Sequence, residues 1–286
     1  MNSLNIYSDK GVVNKYHLSR NIPYKILANY ASQIVTNTSP RSLCDVGFGK
    51  GSTLIPFARH KETRVYGIDS SEEMVSFVRN ELSKRNLFAK VIDADAKFIE
   101  PFIGELDLVH MKAVTHIPKD PYKFLMDVTR AVRLGEHFVI GKENSQPEDN
   151  MENIGKYGLS HQEDFVLKNF YEEYFKIRTN DGKPFRKPKM PAGDYDEAVR
   201  FLTERDFVFE KEITTPAWTK NITLSELVEA ISEGTFTVFR KGCSQLDRKD
   251  YAKKMEAYCH AYGYSLDVKR PYRAQLKAVI LRKEAK

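Results

Sequence analysis

Apolar positions along the chain follow two rhythms that alternate. The runs Leu43-Cys44-Asp45-Val46, Arg64 to Asp69, Phe88 to Asp93, Leu106 to His110 and His137 to Gly141 are short and nearly unbroken. That is the pattern of strands covered on both faces of a parallel sheet. Between them apolar residues recur at helical spacing, over Tyr24 to Val35, Ser52 to His60 and Tyr122 to Val132, and at Met74, Val75, Phe77 and Val78 behind the capping signature Ser70-Ser71-Glu72-Glu73. Parallel neighbours need crossover connections, so strand and helix in alternation predict βαβ units and an α/β fold. The stretch 144–190 reads as irregular, aromatic and basic. Asp194 to Arg205 then reads as a helix and Phe207 to Ile213 as an alternating strand, which Thr215 to Thr219 interrupt. Helices over Leu224 to Ser232 and Asp250 to Tyr262 precede a last strand, Arg273 to Leu281.

The first strand ends on Asp45 and opens through Gly47, Gly49 and Gly51 into a helix. Glycine serves where backbone turns tightly and approaches a ligand closely. In the dinucleotide form of such a turn a pyrophosphate rests on the helix N-terminus. Here Asp45 precedes the glycines, and a carboxylate there would repel a pyrophosphate and suit a cationic ligand. The second strand also ends on a carboxylate, Asp69, at about the distance where the acidic residue of a nucleotide fold accepts both ribose hydroxyls.

The pattern D-x-G-x-G-x-G, followed by Gly67-x-Asp69-x-Ser71-x-x-Met74, resembles the first two motifs of class I S-adenosylmethionine-dependent methyltransferases, in their small-molecule, type 11 or ubiquinone-biosynthesis-like branch. The resemblance implies a Rossmann-like, seven-stranded, mostly parallel sheet with an antiparallel last strand, helices on both faces and helical lid insertions. It divides the chain into a cofactor-covering segment, 1–40, and a methyltransferase domain, 41–286, with insertions at about 144–190 and 215–270. The implied cofactor is S-adenosylmethionine, leaving as S-adenosylhomocysteine, with no metal. Tyr16 and Arg20 lie in a segment similar to the family's leader, where they would cover the cofactor and pair with its methionine carboxylate. Asp45, Gly47 and Gly49 form the turn, Asp69 and Ser70 meet the ribose, and Met74 packs near the adenosine. Asp95 with Ala96 would take the adenine edge, leaving Asp93 as a strand-end residue. His110 and Met111, at the end of the fourth strand, would face the methyl group. His110 and His116 are the candidates to take a proton from an acceptor, and Tyr174 and Trp218 are placed nearest that acceptor.

The fourth strand narrows the chemistry. Met111-Lys112-Ala113-Val114 is unlike the N-P-P-Y wall of adenine methylation, no cysteine lies between Cys44 and Cys243 for attack on cytosine, and His110 stands where a metal-binding carboxylate would be needed. A small-molecule acceptor, such as an aromatic or secondary metabolite, methylated on oxygen or nitrogen, is what the resemblance implies. The alternative is an RNA or protein methyltransferase docking through the basic stretch 183–189. Composition changes little. A chain of 286 residues, 41% hydrophobic and 12% aromatic, buries a large core, and its formal charge of +6 is spread along the whole length. Nucleic acid is not the expected partner. The three cysteines show no metal or disulfide spacing, and no apolar run has the length of a membrane span. A cytoplasmic monomer or homodimer, with no membrane partner, is the expectation.

Overall fold

In the computed structural model, which describes residues 22–115, 118–144, 165–184, 195–234, 239 and 242–285, the apolar runs form the central sheet. β1 (Ser42–Val46), β2 (Arg64–Asp69), β3 (Lys90–Asp93), β4 (Leu106–Lys112) and β5 (Val132–Asn144) pair in parallel, in the order β3-β2-β1-β4-β5. After β6 (Phe207–Thr214) and β7 (Trp218–Ile222), the long β8 (Arg270–Lys283) inserts antiparallel between β5 and β6. The expected seven-stranded, mostly parallel sheet is present. β7 is additional: where an interruption was expected, it pairs with the first residues of β8, Trp218 opposite Ala274 and Ile222 opposite Arg270. β1 and β4 are buried along their whole length, which is why they read as unbroken apolar runs.

Helices cover both faces. α1 (Tyr24–Thr38), α2 (Leu54–Phe57) and α3 (Glu72–Lys84) bury one core, with Tyr30, Ile34, Phe57, Met74 and Val78 against Leu43, Leu108 and Val139. The 3-10 segment Ala96–Phe102, α4 (Pro121–Thr129) and α6 (Tyr195–Thr203) bury the other, around Val46, Val109, Phe138 and Leu281. α2 is shorter than the expected 52–60 and α4 stops before Val132, which instead begins β5.

A third core stands apart from the sheet. α5 (Phe165–Asn180), α7 (Leu224–Glu233) and α8 (Gln245–Ala261) pack Leu167, Phe170, Tyr174, Leu227, Ile231, Tyr251 and Met255 together. α5 corrects the expectation of an irregular stretch: Leu167, Phe170, Tyr171, Tyr174 and Phe175 recur at helical spacing and are all buried. α8 starts five residues earlier than Asp250, at a capping box in which Ser244 and Asp247 satisfy each other's backbone amides. β5 reaches Asn144, opposite Gln275, whereas β7 pairs with Arg270 to Ala274. The β7/β8 ribbon and the helices attached to it therefore lie beyond the carboxyl ends of the parallel strands, on the side where open α/β sheets bind ligands. At the amino ends Asp107 has a structural role: it accepts from the backbone amides of Arg41 (2.9 Å) and Ser42 (3.1 Å) and from the Arg133 guanidinium. Among the described residues no helix is long and apolar enough to cross a membrane.

Candidate functional site

The glycine turn sits where β1 and β2 end together. Gly47, Gly49 and Gly51 have φ of 67°, 55° and 75°, in the left-handed region that a side chain disfavours. Hydrogen bonds fix each of them: the Gly47 amide to the Ile68 carbonyl (2.7 Å), the Gly51 amide to the Phe48 carbonyl (2.9 Å), and the Gly49 amide to the Asp69 carboxylate (2.8 Å). A Cβ on Gly47 would lie 2.7 Å from a Val114 methyl, so the backbone passes hard against the segment after β4. A Cβ on Gly49 would meet nothing within 4 Å, so the crest of the turn faces open space.

Asp69 ends β2 with its second carboxylate oxygen on the Ser71 amide (3.0 Å), and Ser71 in turn caps α3 through the Met74 amide. Burial raises the Asp69 carboxyl above its ordinary range, while the bonds from Gly49 and Ser71 pull it back. Each oxygen keeps capacity to accept a further donor from the open side.

Two of the expected ligand contacts are directed elsewhere. Asp45 is buried beneath the turn, one oxygen accepting from the Thr53 hydroxyl (2.7 Å) and the other lying 2.7 Å from His110 Nδ1. His110 is 0% exposed, its Nε2 lies 3.0 Å from the Tyr30 hydroxyl, and the Phe57 ring stands edge-on to it. With both ring nitrogens engaged inside the core, His110 cannot reach an acceptor as a base. In parallel strands paired residues point the same way, and Asp45 and His110 are direct partners in the β1/β4 register, which explains the correction.

The other candidates divide. Gly47, Gly49, Asp69 and the exposed Ser70 gather at the turn; Asp95 and Ala96 follow the end of β3 and are half-buried, and Asp93 is an exposed strand end. Met74 and Met111 are core residues on opposite faces of the sheet. Tyr174 is fully buried in the helical layer, its hydroxyl donating to the Phe239 carbonyl (3.3 Å) and its ring against Phe175, Phe239 and Tyr251. It is therefore core rather than wall. Trp218 shares the core on the α1 face of the sheet with Ala274 and Leu276, and among the described residues its buried indole N–H finds no hydrogen-bond partner. Two residues along β7, Lys220 pairs with Glu143 of β5. Tyr16, Arg20 and His116 lie outside the described residues. No group of three metal-binding side chains occurs among the described residues.

Sequence reasoning passed over Ala113, which leaves β4 at φ 56° with its amide on the Gly141 carbonyl (3.3 Å). A non-glycine residue held there, between β4 and the Val114 that braces Gly47, is strained. Ala113→Gly relieves about 1–2 kcal/mol of strain, part of which the larger entropy of unfolded glycine offsets. The expected result is a gain of about 0.5–1 kcal/mol in urea unfolding; a loss would show that the backbone here is not under tension.

A glycine turn tied to the carboxylate ending the next strand, at the carboxyl edge of a sheet ordered β3-β2-β1-β4-β5-β8-β6 with β8 reversed, is the arrangement that the sequence resemblance to class I methyltransferases implies. Residues 43–135, which hold the turn, Asp69 and β4, match the methyltransferase domain family. Among solved structures the chain is similar to a Bacillus halodurans C-125 protein provisionally assigned as a methyltransferase, at 15% identity and a TM-score of 0.53 over 90% of this chain and 99% of that one. It is similarly close to the YcgJ protein of Bacillus subtilis, at 14% identity and a TM-score of 0.51 over the same shares. Likeness at this identity concerns the fold. No curated protein sequence matches the chain.

Proposed function

We propose that the protein is an S-adenosylmethionine-dependent methyltransferase acting on an oxygen or nitrogen atom of a small molecule. The observation that carries the cofactor reading is Asp69. Its carboxylate is held on the amides of Gly49 and Ser71 beside the open crest of the turn, and a carboxylate so placed suits two neighbouring ribose hydroxyls. Asp95 and Ala96, past the end of the adjacent strand, suit the adenine edge. Bound there, the cofactor supplies a methyl group already activated on a sulfonium. What remains for the chain is to align the acceptor and keep water out.

The helical layer beyond the strand ends, and the pairing of Lys220 with Glu143 next to Trp218, favour a small acceptor held under a roof. The Trp218 indole N–H, which finds no acceptor among the described residues, could donate to a polar atom of such a molecule. Lys183, the first residue of the basic stretch, pairs with Asp247 of α8, and its carbonyl accepts from Arg178 (3.1 Å). It is thus part of the helical layer, which favours the small-molecule reading over docking of RNA or a protein. Titration calorimetry tests the cofactor. S-adenosylhomocysteine is expected to bind with a Kd on the order of micromolar and NAD not at all, whereas binding of NAD alone would overturn the reading. Methyl transfer that stays constant from low to high salt is expected of a small acceptor, and steep loss of activity with salt would point to nucleic acid.

A further inference from the structure

Four side chains distant in sequence meet in one line beneath the glycine turn. Tyr30 on α1 contacts His110 on β4, His110 contacts Asp45 on β1, and Asp45 accepts from Thr53 at the start of α2. All four are buried. The chemistry of the partners sets how the line is ordered. An ionised carboxylate only accepts, so His110 Nδ1 donates to Asp45, and in the neutral imidazole Nε2 then accepts from the Tyr30 hydroxyl. Burial, with Asp45 nearby, holds the Tyr30 phenol well above its usual pKa, so it remains a donor.

The line has two geometrical consequences. Asp45 and Thr53 flank the three glycines, so the bond between them staples the two ends of the turn together across its base. The Thr53 carbonyl also accepts the Phe57 amide (3.0 Å), which joins the staple to the first turn of α2. At the far end, the place a Cβ would take on Gly141 is filled by the Tyr30 hydroxyl, only 2.0 Å away, so β5 is shaped to admit that oxygen. A buried carboxylate and imidazole are costly to desolvate and are tolerated when every bonding position is satisfied.

We propose that Tyr30, His110 and Asp45 are positioning residues that set the shape of the glycine turn from α1, so that cofactor affinity depends on the docking of a helix that precedes the turn in sequence. The proposal rests on reading the turn as the cofactor site. Tyr30→Phe keeps the ring and removes the donor, and Thr53→Val removes the hydroxyl at the other end while keeping the side-chain shape. Two measurements separate the ideas. Hydrogen exchange on the ligand-free protein reads the turn directly, since the Gly47, Gly49 and Gly51 amides are all bonded. Either variant is expected to speed their exchange roughly tenfold with β2 and β3 amides unchanged. Calorimetry with S-adenosylhomocysteine is expected to show affinity falling roughly tenfold in each single variant and no further in the double variant, the non-additivity of groups acting as one unit.

Exchange that rises uniformly across the sheet, or turn amides and affinity both unchanged beside a lower Tm, would overturn the proposal and leave the line a purely structural one. Wild-type protein that binds no S-adenosylhomocysteine would defeat the cofactor reading instead. The exchange pattern would still decide whether α1 sets the turn. Should Tyr30→Phe not fold, Thr53→Val carries both measurements alone.

Discussion

Asp69→Ala weakens binding of S-adenosylhomocysteine by about 1.5–3 kcal/mol, because a charged acceptor for two hydroxyls is lost from a half-buried position. At 1.4 kcal/mol per factor of ten, calorimetry should read a fall of roughly 10- to 150-fold. Unchanged affinity would remove Asp69 from the cofactor site. The same carboxyl sets a pH dependence. Burial raises its pKa in the folded chain above the ordinary aspartate value, and only the ionised form accepts at both oxygens. Affinity of the wild type should therefore begin to fall on acidification at a higher pH than an exposed aspartate would allow, and the Asp69→Ala variant should lack that limb. Stability runs the opposite way. With the folded pKa above the unfolded one, folding is favoured by this group below the unfolded pKa, and that contribution is lost as pH rises through the folded pKa. Relative to the variant, the free wild-type protein should thus be less stable at neutral pH than in acid.

Among the glycines of the described residues, Gly141 is the one at which an added Cβ would come nearest another atom, so Gly141→Ala is expected to be strongly destabilising. The new Cβ would stand 2.0 Å from the Tyr30 hydroxyl and 3.2 Å from its ring, with the Lys112 side chain at 3.3 Å. Tyr30 must move, and His110 Nε2 is left buried without its donor. Overpacking of about 1–3 kcal/mol and a lost buried hydrogen bond of about 1–3 kcal/mol together predict a loss of about 2–6 kcal/mol. At about 2 °C per kcal/mol for a chain of this size, it would then melt roughly 4–12 °C lower. Adding Tyr30→Phe removes the clashing oxygen, so the double variant is expected to be more stable than Gly141→Ala alone; equal or greater loss would show that the clash is relieved by some other movement.

Much of this was legible in the residues. Strands buried on both faces leave continuous apolar runs, and the carboxylates at their ends mark the edge where a ligand is held, so β1 to β4 and the place of Asp69 could be read directly. Direction could not. The sequence shows that Asp45 and His110 end their strands, but only the pairing of β1 with β4 turns them toward each other and into the core. Tyr30, 80 positions before His110, joins them through tertiary packing alone. Gly141 gave no signal of its own, because nothing in a strand pattern distinguishes a glycine that admits a hydroxyl from one that merely lacks a side chain. α5 was legible in principle: its apolar spacing is helical, yet its density of aromatic and basic residues reads as a loop when composition is weighed before period. β7 depends on β8, which lies beyond α7 and α8 in the sequence, and no local property announces it.

The length of β8 governs how the layer over the strand ends can behave. One strand of 14 residues pairs with β7 at its first end and with β5 and β6 along the rest. Its far end is pinned as well, since Lys283 donates to the carbonyls of Val132 (2.8 Å) and Thr129 (3.2 Å). It is a cantilever clamped along most of its span. Tilting the layer means flexing that beam and stretching its ladder, so how far the layer can move is set by the stiffness of the sheet and not by a free hinge.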